Sequence, residues 1–185
     1  EELMKQCLIL AQKGAGVVSP NPKVGAIIFC NGKIAGKGYH HKYGGIHAEI
    51  DAFKNTLHLK KNSTLVVNLE PCSHFGKTPP CVDEIIRQKI SRVVIGAKDP
   101  NPLVTGRGIK KLLNAGIEVI TGVLENECKK FNEIFFKYIT KKVPFVTLKI
   151  AQTLDGKIAD AKNISKWISS EKSRKIVHSL RAEYD

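Results

Sequence analysis

The chain of 185 residues carries 30 Lys and Arg against 17 Asp and Glu, a net charge of +13, with 42% hydrophobic and 25% charged residues. This describes one well-packed globular domain with an appendage and excludes a disordered or collagen-like chain. No run approaches the ~20 apolar residues of a membrane-crossing helix, so no membrane partner is expected.

The opening residues have neither a basic stretch nor a small-residue cleavage site. Five cysteines, an odd number without dense regular spacing, do not make the framework of a small secreted scaffold, and a cytoplasmic protein is expected. The charge could attract nucleic acid, an anionic surface or a phosphorylated small molecule. Its lysines are dispersed, which favours a lysine-rich composition over a dedicated polyanion surface.

Leu3, Cys7, Leu10 and Ala11 stand at helical spacing and predict a helix over 3–13. A Pro-rich loop follows at 19–22. Residues 24–30 and 33–40 are strand-like around Asn31-Gly32, the strongest short signal for a hairpin. Ala48, Ala52 and Phe53 predict a helix that His47 opens, and TLVVNLE at 64–70 is a buried strand running into Pro71-Cys72. Pro79-Pro80 start another helix with Cys81 in its first turn.

Beyond these, 92–97 is a strand, 107–115 a helix and 117–122 a strand. Leu124, Cys128, Phe131, Phe135 and Tyr138, spaced four, three, four and three apart, predict one long helix over 124–140 with an apolar stripe that needs a partner. A boundary falls at 141–143. PFVTLKI then predicts a strand over 144–150, and the tail ends in a serine-capped helix. Helices and strands alternate, as in α/β proteins.

Chemistry concentrates in two blocks, HAE at 47–49 and PCSHFGKTPPC at 71–81. Taken alone, a histidine opening a helix is usually a cap, and a buried cysteine acts as a small hydrophobe. Together, His47, Cys72 and Cys81 offer the imidazole and thiolate donors that zinc favours. Three such ligands leave a fourth position for water, which signals catalysis rather than scaffolding. Helix starts favour thiolates over thiols. Glu49, two residues beyond His47, need not bind metal and is free to move protons, as the non-ligand glutamate of zinc deaminases does. Cys7, Cys30 and Cys128 have no such company and are assigned to the core.

These residues resemble the bifunctional riboflavin-biosynthesis deaminase/reductase family, whose deaminase half belongs to the cytidine deaminase-like superfamily. The resemblance covers nearly the whole chain, through PNPKVGA at 20–26, GYH at 38–40, HAE, LEPCSHFGKTPPC at 69–81 and DPNPLVTGRG at 99–108. Eight residues separate Cys72 from Cys81, whereas nucleoside and nucleic-acid deaminases typically show PCxxC. The resemblance implies a three-layer α/β/α domain over 1–143 with a mixed five-stranded sheet, and hydrolytic deamination of diaminohydroxyphosphoribosylaminopyrimidine. It makes Asn21, His40, His74, Lys77, Asp99 and Asn101 substrate-pocket residues, although DPNP is also an ordinary turn sequence.

Residues 144–185 resemble the start of the family's reductase half. There Ala151 and Trp167 match NADPH-contacting positions, and Ser165 and Arg181 match positions that contact the ribosyl phosphate substrate. Without the remaining strands no hydride transfer is expected from this chain. The expected partners are a phosphorylated pyrimidine and further copies of the chain, with no nucleic acid. A nucleic-acid base deaminase and a non-catalytic zinc module, the latter closed by His74 as a fourth ligand, are the alternatives.

Overall fold

Apolar runs rich in β-branched residues make the strands, and a short turn fixes the first pairing. In the computed structural model, which describes residues 1–57, 59, 62–76, 78–102 and 104–184, β1 (Gly25–Cys30) turns back into β2 (Lys33–Tyr39). Asn31 (φ 50°) and Gly32 (φ 74°) both take positive φ, as the twist of a type I′ hairpin turn requires. β3 (Thr64–Leu69) pairs antiparallel with β1, β4 (Arg92–Ala97) parallel with β3, and β5 (Glu118–Thr121) parallel with β4. The result is the expected mixed five-stranded sheet, in the order β2-β1-β3-β4-β5.

Helices cover both faces. α1 (Glu2–Gln12) packs on β1 and β3, and α5 (Glu125–Phe131) on β4. Met4, Cys7 and Cys128 there close over Ile27, Val66, Leu69 and Ala97. On the opposite face lie α2 (Ala48–Lys54), α3 (Cys81–Arg87) and α4 (Arg107–Asn114), whose Ala48, Ala52, Val82, Ile85 and Leu112 pack with Ala26, Ile28, Leu65, Val67, Val93 and Ile95. Ala26, Ile27 and Ile28 therefore point to alternate layers, the two-residue period of a sheet buried on both sides. α2 sits close on β2 because a Cβ at Gly38 would collide with the backbone at Ala48 and Ala52.

Two expectations are corrected. The helix predicted over 124–140 is two helices, α5 and α6 (Glu133–Lys141), with Asn132 between them at φ −111° and ψ 24°. Lys23 N–H donates to Asn132 Oδ1 at 2.8 Å, and Asn132 Nδ2 donates to the Lys23 carbonyl at 2.9 Å. The helix bends where this side chain is held. Nor does the whole stripe await a partner: Cys128 is fully buried, and Leu124 and Phe135 pack against the same layer of the chain's own sheet.

The second correction concerns 144–150, which is irregular backbone rather than strand. Its β-branched residues find no ladder partner among the described residues, and a strand is not stable alone. The chain divides into two units, Glu1–Pro144 and Phe145–Asp185. In the second, α7 (Glu171–Glu183) is capped by Ser170, whose Oγ accepts the Ser173 N–H at 3.2 Å. None of the described residues from 145 to 184 is buried. Among the described residues, no helix is long and apolar enough to cross a membrane.

Candidate active site

The reactive side chains sit at element ends, where side chains converge without interrupting the sheet. His47 is the N-cap of α2, in extended conformation at φ −76° and ψ 159°. Cys72 follows the carboxyl end of β3, and Cys81 is the first residue of α3, directly after Pro80. Asp99 and Asn101 follow the carboxyl end of the parallel neighbour β4. Ligand sites in open α/β sheets lie at this edge.

His47 Nδ1 lies 3.1 Å from Cys81 Sγ and 3.5 Å from Cys72 Sγ, and the three donor atoms fall within 4.8 Å of one another. Tetrahedral zinc, with Zn–N of about 2.0–2.1 Å and Zn–S of about 2.3 Å, sets N and S roughly 3.5 Å apart and two sulfurs roughly 3.8 Å apart. One imidazole and two thiolates at that spacing fit zinc. Among the described residues the cluster has three donors, and His74 is not one of them.

The electrostatics favour metal uptake. Cys72 is pushed down to about 4 because the Cys81 thiol donates to its sulfur, joined by His47 and by the Cys81 N–H at 3.3 Å. Cys81 is pushed up by giving that hydrogen bond and by its complete burial. His47 is raised by its hydrogen bond to Cys72. The two shifts are opposite in direction, so of the two sulfurs Cys72 is the one favoured as thiolate. Glu49, only 3% exposed, is raised chiefly by burial. It lies beside the trio without belonging to it.

A cavity of ≈ 320 Å³ gathers His47, Glu49 and Cys72 with Asn21, His40, His74, Asp99 and Asn101. His40 Nδ1–H donates to the Ile46 carbonyl at 2.9 Å, which leaves Nε2 to accept from Asn21 Nδ2 at 3.1 Å. Burial lowers the pKa of His40, keeping this arrangement neutral and the Asn21 amide oriented. The DPNP segment is both a turn and part of the cavity wall: Asp99 Oδ1 accepts the Asn101 N–H at 2.8 Å, and burial pushes Asp99 up to about 6. His74 Nδ1 is buried with no hydrogen-bond partner among the described residues, an orphan that a ligand would satisfy. Lys77 lies outside the described residues.

The positions in the second unit are distributed differently. Ala151 and Ser165 stand in irregular backbone and Arg181 in α7, while Trp167 lies under the Arg174 guanidinium at 4.1 Å.

Sequence reasoning missed the supports. Glu70, 3% exposed, accepts the N–H groups of Gly106 at 3.1 Å and Ile109 at 3.3 Å, capping the start of α4 from a distance. It thereby ties the Cys72 segment to the loop bearing Asp99. Asn68, fully buried in β3, accepts from Gly25 N–H at 2.8 Å and donates to the Lys23 carbonyl at 3.1 Å. Together with Asn132 it grips the segment carrying Asn21. The legible signal was a polar Asn and a Glu inside an otherwise apolar strand run. Tyr43, Thr78, Phe135, Tyr138 and Ile139 also line the cavity.

The sequence profile described as cytidine and deoxycytidylate deaminase zinc-binding region matches residues 1–97, and that of the RibD C-terminal domain matches 144–185. Riboflavin biosynthesis protein RibD of Aquifex aeolicus (strain VF5) is 55% identical over 180 residues, covering 97% of this chain and 51% of the relative. Among solved structures, a diaminohydroxyphosphoribosylaminopyrimidine deaminase/5-amino-6-(5-phosphoribosylamino)uracil reductase from Thermotoga maritima superposes with a TM-score of 0.93 at 52% identity, covering 97% of this chain and 52% of that one. RibD of Acinetobacter baumannii gives a TM-score of 0.90 at 41% identity, covering 97% and 51%. The chain spans about half the length of these relatives. With its fold, its His and Cys cluster and this match, the chain belongs to the cytidine and deoxycytidylate deaminase zinc-binding family, and it is similar to RibD proteins over about half of their length.

Proposed function

We propose that the chain catalyses hydrolytic deamination of diaminohydroxyphosphoribosylaminopyrimidine in riboflavin biosynthesis, releasing the ring 2-amino group as ammonia. The observation that carries this reading is Glu49, a buried carboxyl in the cavity wall beside the His47, Cys72 and Cys81 trio but outside its ligand cluster. A closed structural zinc site would give that carboxyl no task. The Thermotoga maritima protein named for this deamination is 52% identical to the chain.

In this reading His47, Cys72 and Cys81 hold zinc, which when bound lowers the pKa of a water to about 7 and so supplies the nucleophile. Glu49 takes a proton from the attacking water and delivers it to the ring nitrogen beside the carbon under attack. It then takes the remaining proton from the newly added hydroxyl and passes it to the amine as the C–N bond breaks and the carbonyl forms. A carboxyl raised by burial suits a group that must both accept and return a proton. Asn21, His40, His74, Asp99 and Asn101 supply donors and acceptors to ring and ribose, and Lys77 pairs with the phosphate.

Within a complete reductase domain the same reading would add NADPH-dependent reduction, with Ala151 and Trp167 at the cofactor and Ser165 and Arg181 at the phosphorylated substrate. Homo-oligomers are part of the same reading. The test is ammonia release from the diamino pyrimidinone ribosyl phosphate, with cytidine and a single-stranded oligonucleotide in parallel and zinc measured on the same sample. Turnover of the first alone with one zinc per chain supports the proposal. Turnover of the oligonucleotide alone, or of nothing despite bound zinc, overturns it.

A further inference from the structure

The ring of His47 has two faces to account for. Nδ1 points between the sulfurs of Cys81 and Cys72, at 3.1 Å and 3.5 Å, while Nε2 lies 3.2 Å from Thr78 Oγ1. We propose that Thr78 is a positioning residue for the metal centre: its hydroxyl accepts the Nε2–H of His47 and fixes the tautomer and ring plane in which Nδ1 meets the metal. The inference rests on the zinc reading above and assigns a residue to its support.

A neutral imidazole has one N–H and one lone pair, so a ring that ligates through Nδ1 carries its hydrogen on Nε2 and needs an acceptor there. Metal-bound histidines usually find a carboxylate, a carbonyl or water for this purpose. Here the group found beside Nε2 is the Thr78 hydroxyl. The hydroxyl of Thr78 fills the role without adding negative charge beside the Cys72 thiolate. Its placement is built in by sequence: Thr78 stands in the same 72–81 connection that brings both sulfurs, and Pro79 and Pro80 restrict the backbone between it and Cys81. Gly76 N–H also donates to the Thr78 carbonyl at 3.3 Å. One short connection therefore delivers two ligands and the strut for the third.

The test is competition for zinc between the loaded protein and a chelator of known affinity, for wild type, Thr78→Val and Thr78→Ser. Valine keeps the shape and removes the acceptor, so zinc affinity should fall about 10–100-fold, the usual cost of losing an outer partner of a ligating histidine. Serine restores the acceptor and should restore the affinity, and the melting temperature of the zinc-free form should be the same in all three. Val holding zinc as tightly as wild type overturns the assignment, as does Ser being as weak as Val, which would place the effect in the methyl group. Wild type that takes up no zinc overturns the metal reading and the role of Thr78 with it, a result distinct from either of those.

Discussion

Glu49→Gln keeps the size of the side chain and removes its ability to take a proton. Turnover should fall by about two to four orders of magnitude while zinc per chain stays at the wild-type level, read by steady-state ammonia release and a metal assay. Unchanged turnover would remove Glu49 from the mechanism. Asp99 makes a prediction in pH. Burial raises its carboxyl from 3.8 to about 6 in the folded chain, so the folded state binds the proton more tightly than the unfolded one. Its contribution is fully present below the unfolded value and is lost as pH rises through the folded one, a difference of about 3 kcal/mol by pH 7. Asp99→Asn keeps the acceptor for the Asn101 N–H. It should therefore stabilise the chain at pH 7 by up to about 3 kcal/mol but by only about 0.5 kcal/mol near pH 4, while raising KM. Urea unfolding from pH 4 to 8 checks this, and parallel curves for the two proteins would sink it. At this scale HAE and PC were legible because zinc chemistry restricts the residue types. Glu70, Asn68 and Thr78 were not, because each acts on groups that are distant in sequence or orients another side chain.

Among the elements, the hairpin and the strands follow local rules, so Asn31-Gly32 and the apolar runs at 24–30, 64–70 and 92–97 could be read directly. The helix over 124–140 was misread because its apolar spacing continues unbroken through Asn132. What bends it is the pairing of Asn132 with Lys23, which lies 109 residues away. Asn132→Ala leaves the Lys23 N–H without that acceptor and should cost about 1–3 kcal/mol of stability. Because the same contact steadies the segment bearing Asn21, KM should rise while the zinc content holds. Unfolding and steady-state kinetics on one preparation separate the two effects, and an unchanged KM would confine Asn132 to stability. The strand read over 144–150 failed for the opposite reason, since β-branched composition becomes a strand only beside a partner.

For the whole molecule, the first unit contains both core clusters, and the sheet buries its apolar residues in two layers. Ile9, Val17, Phe75 and Tyr138 of that unit nevertheless remain exposed. Exposed apolar side chains are compatible with the self-association proposed above. Sedimentation equilibrium should give a homo-oligomer, and a monomer at all concentrations would count against it. The second unit has α7 and no buried residue among those described, so its sequence likeness to the RibD C-terminal domain is not accompanied by a core of its own.

By itself the sequence determined the α/β alternation, the hairpin, the chemistry of the zinc donors and the separation of Glu49 from them. These depend on residue type and on spacing within a few turns of chain. The tertiary structure alone decided that Asn21, His40, His74, Asp99 and Asn101 share one cavity with the trio. It alone set the donor atoms at distances that suit a tetrahedral metal. Both outcomes depend on strand order and on buried polar contacts such as Glu70 to α4 and Asn132 to Lys23, which join residues far apart in sequence and leave no periodic pattern to read.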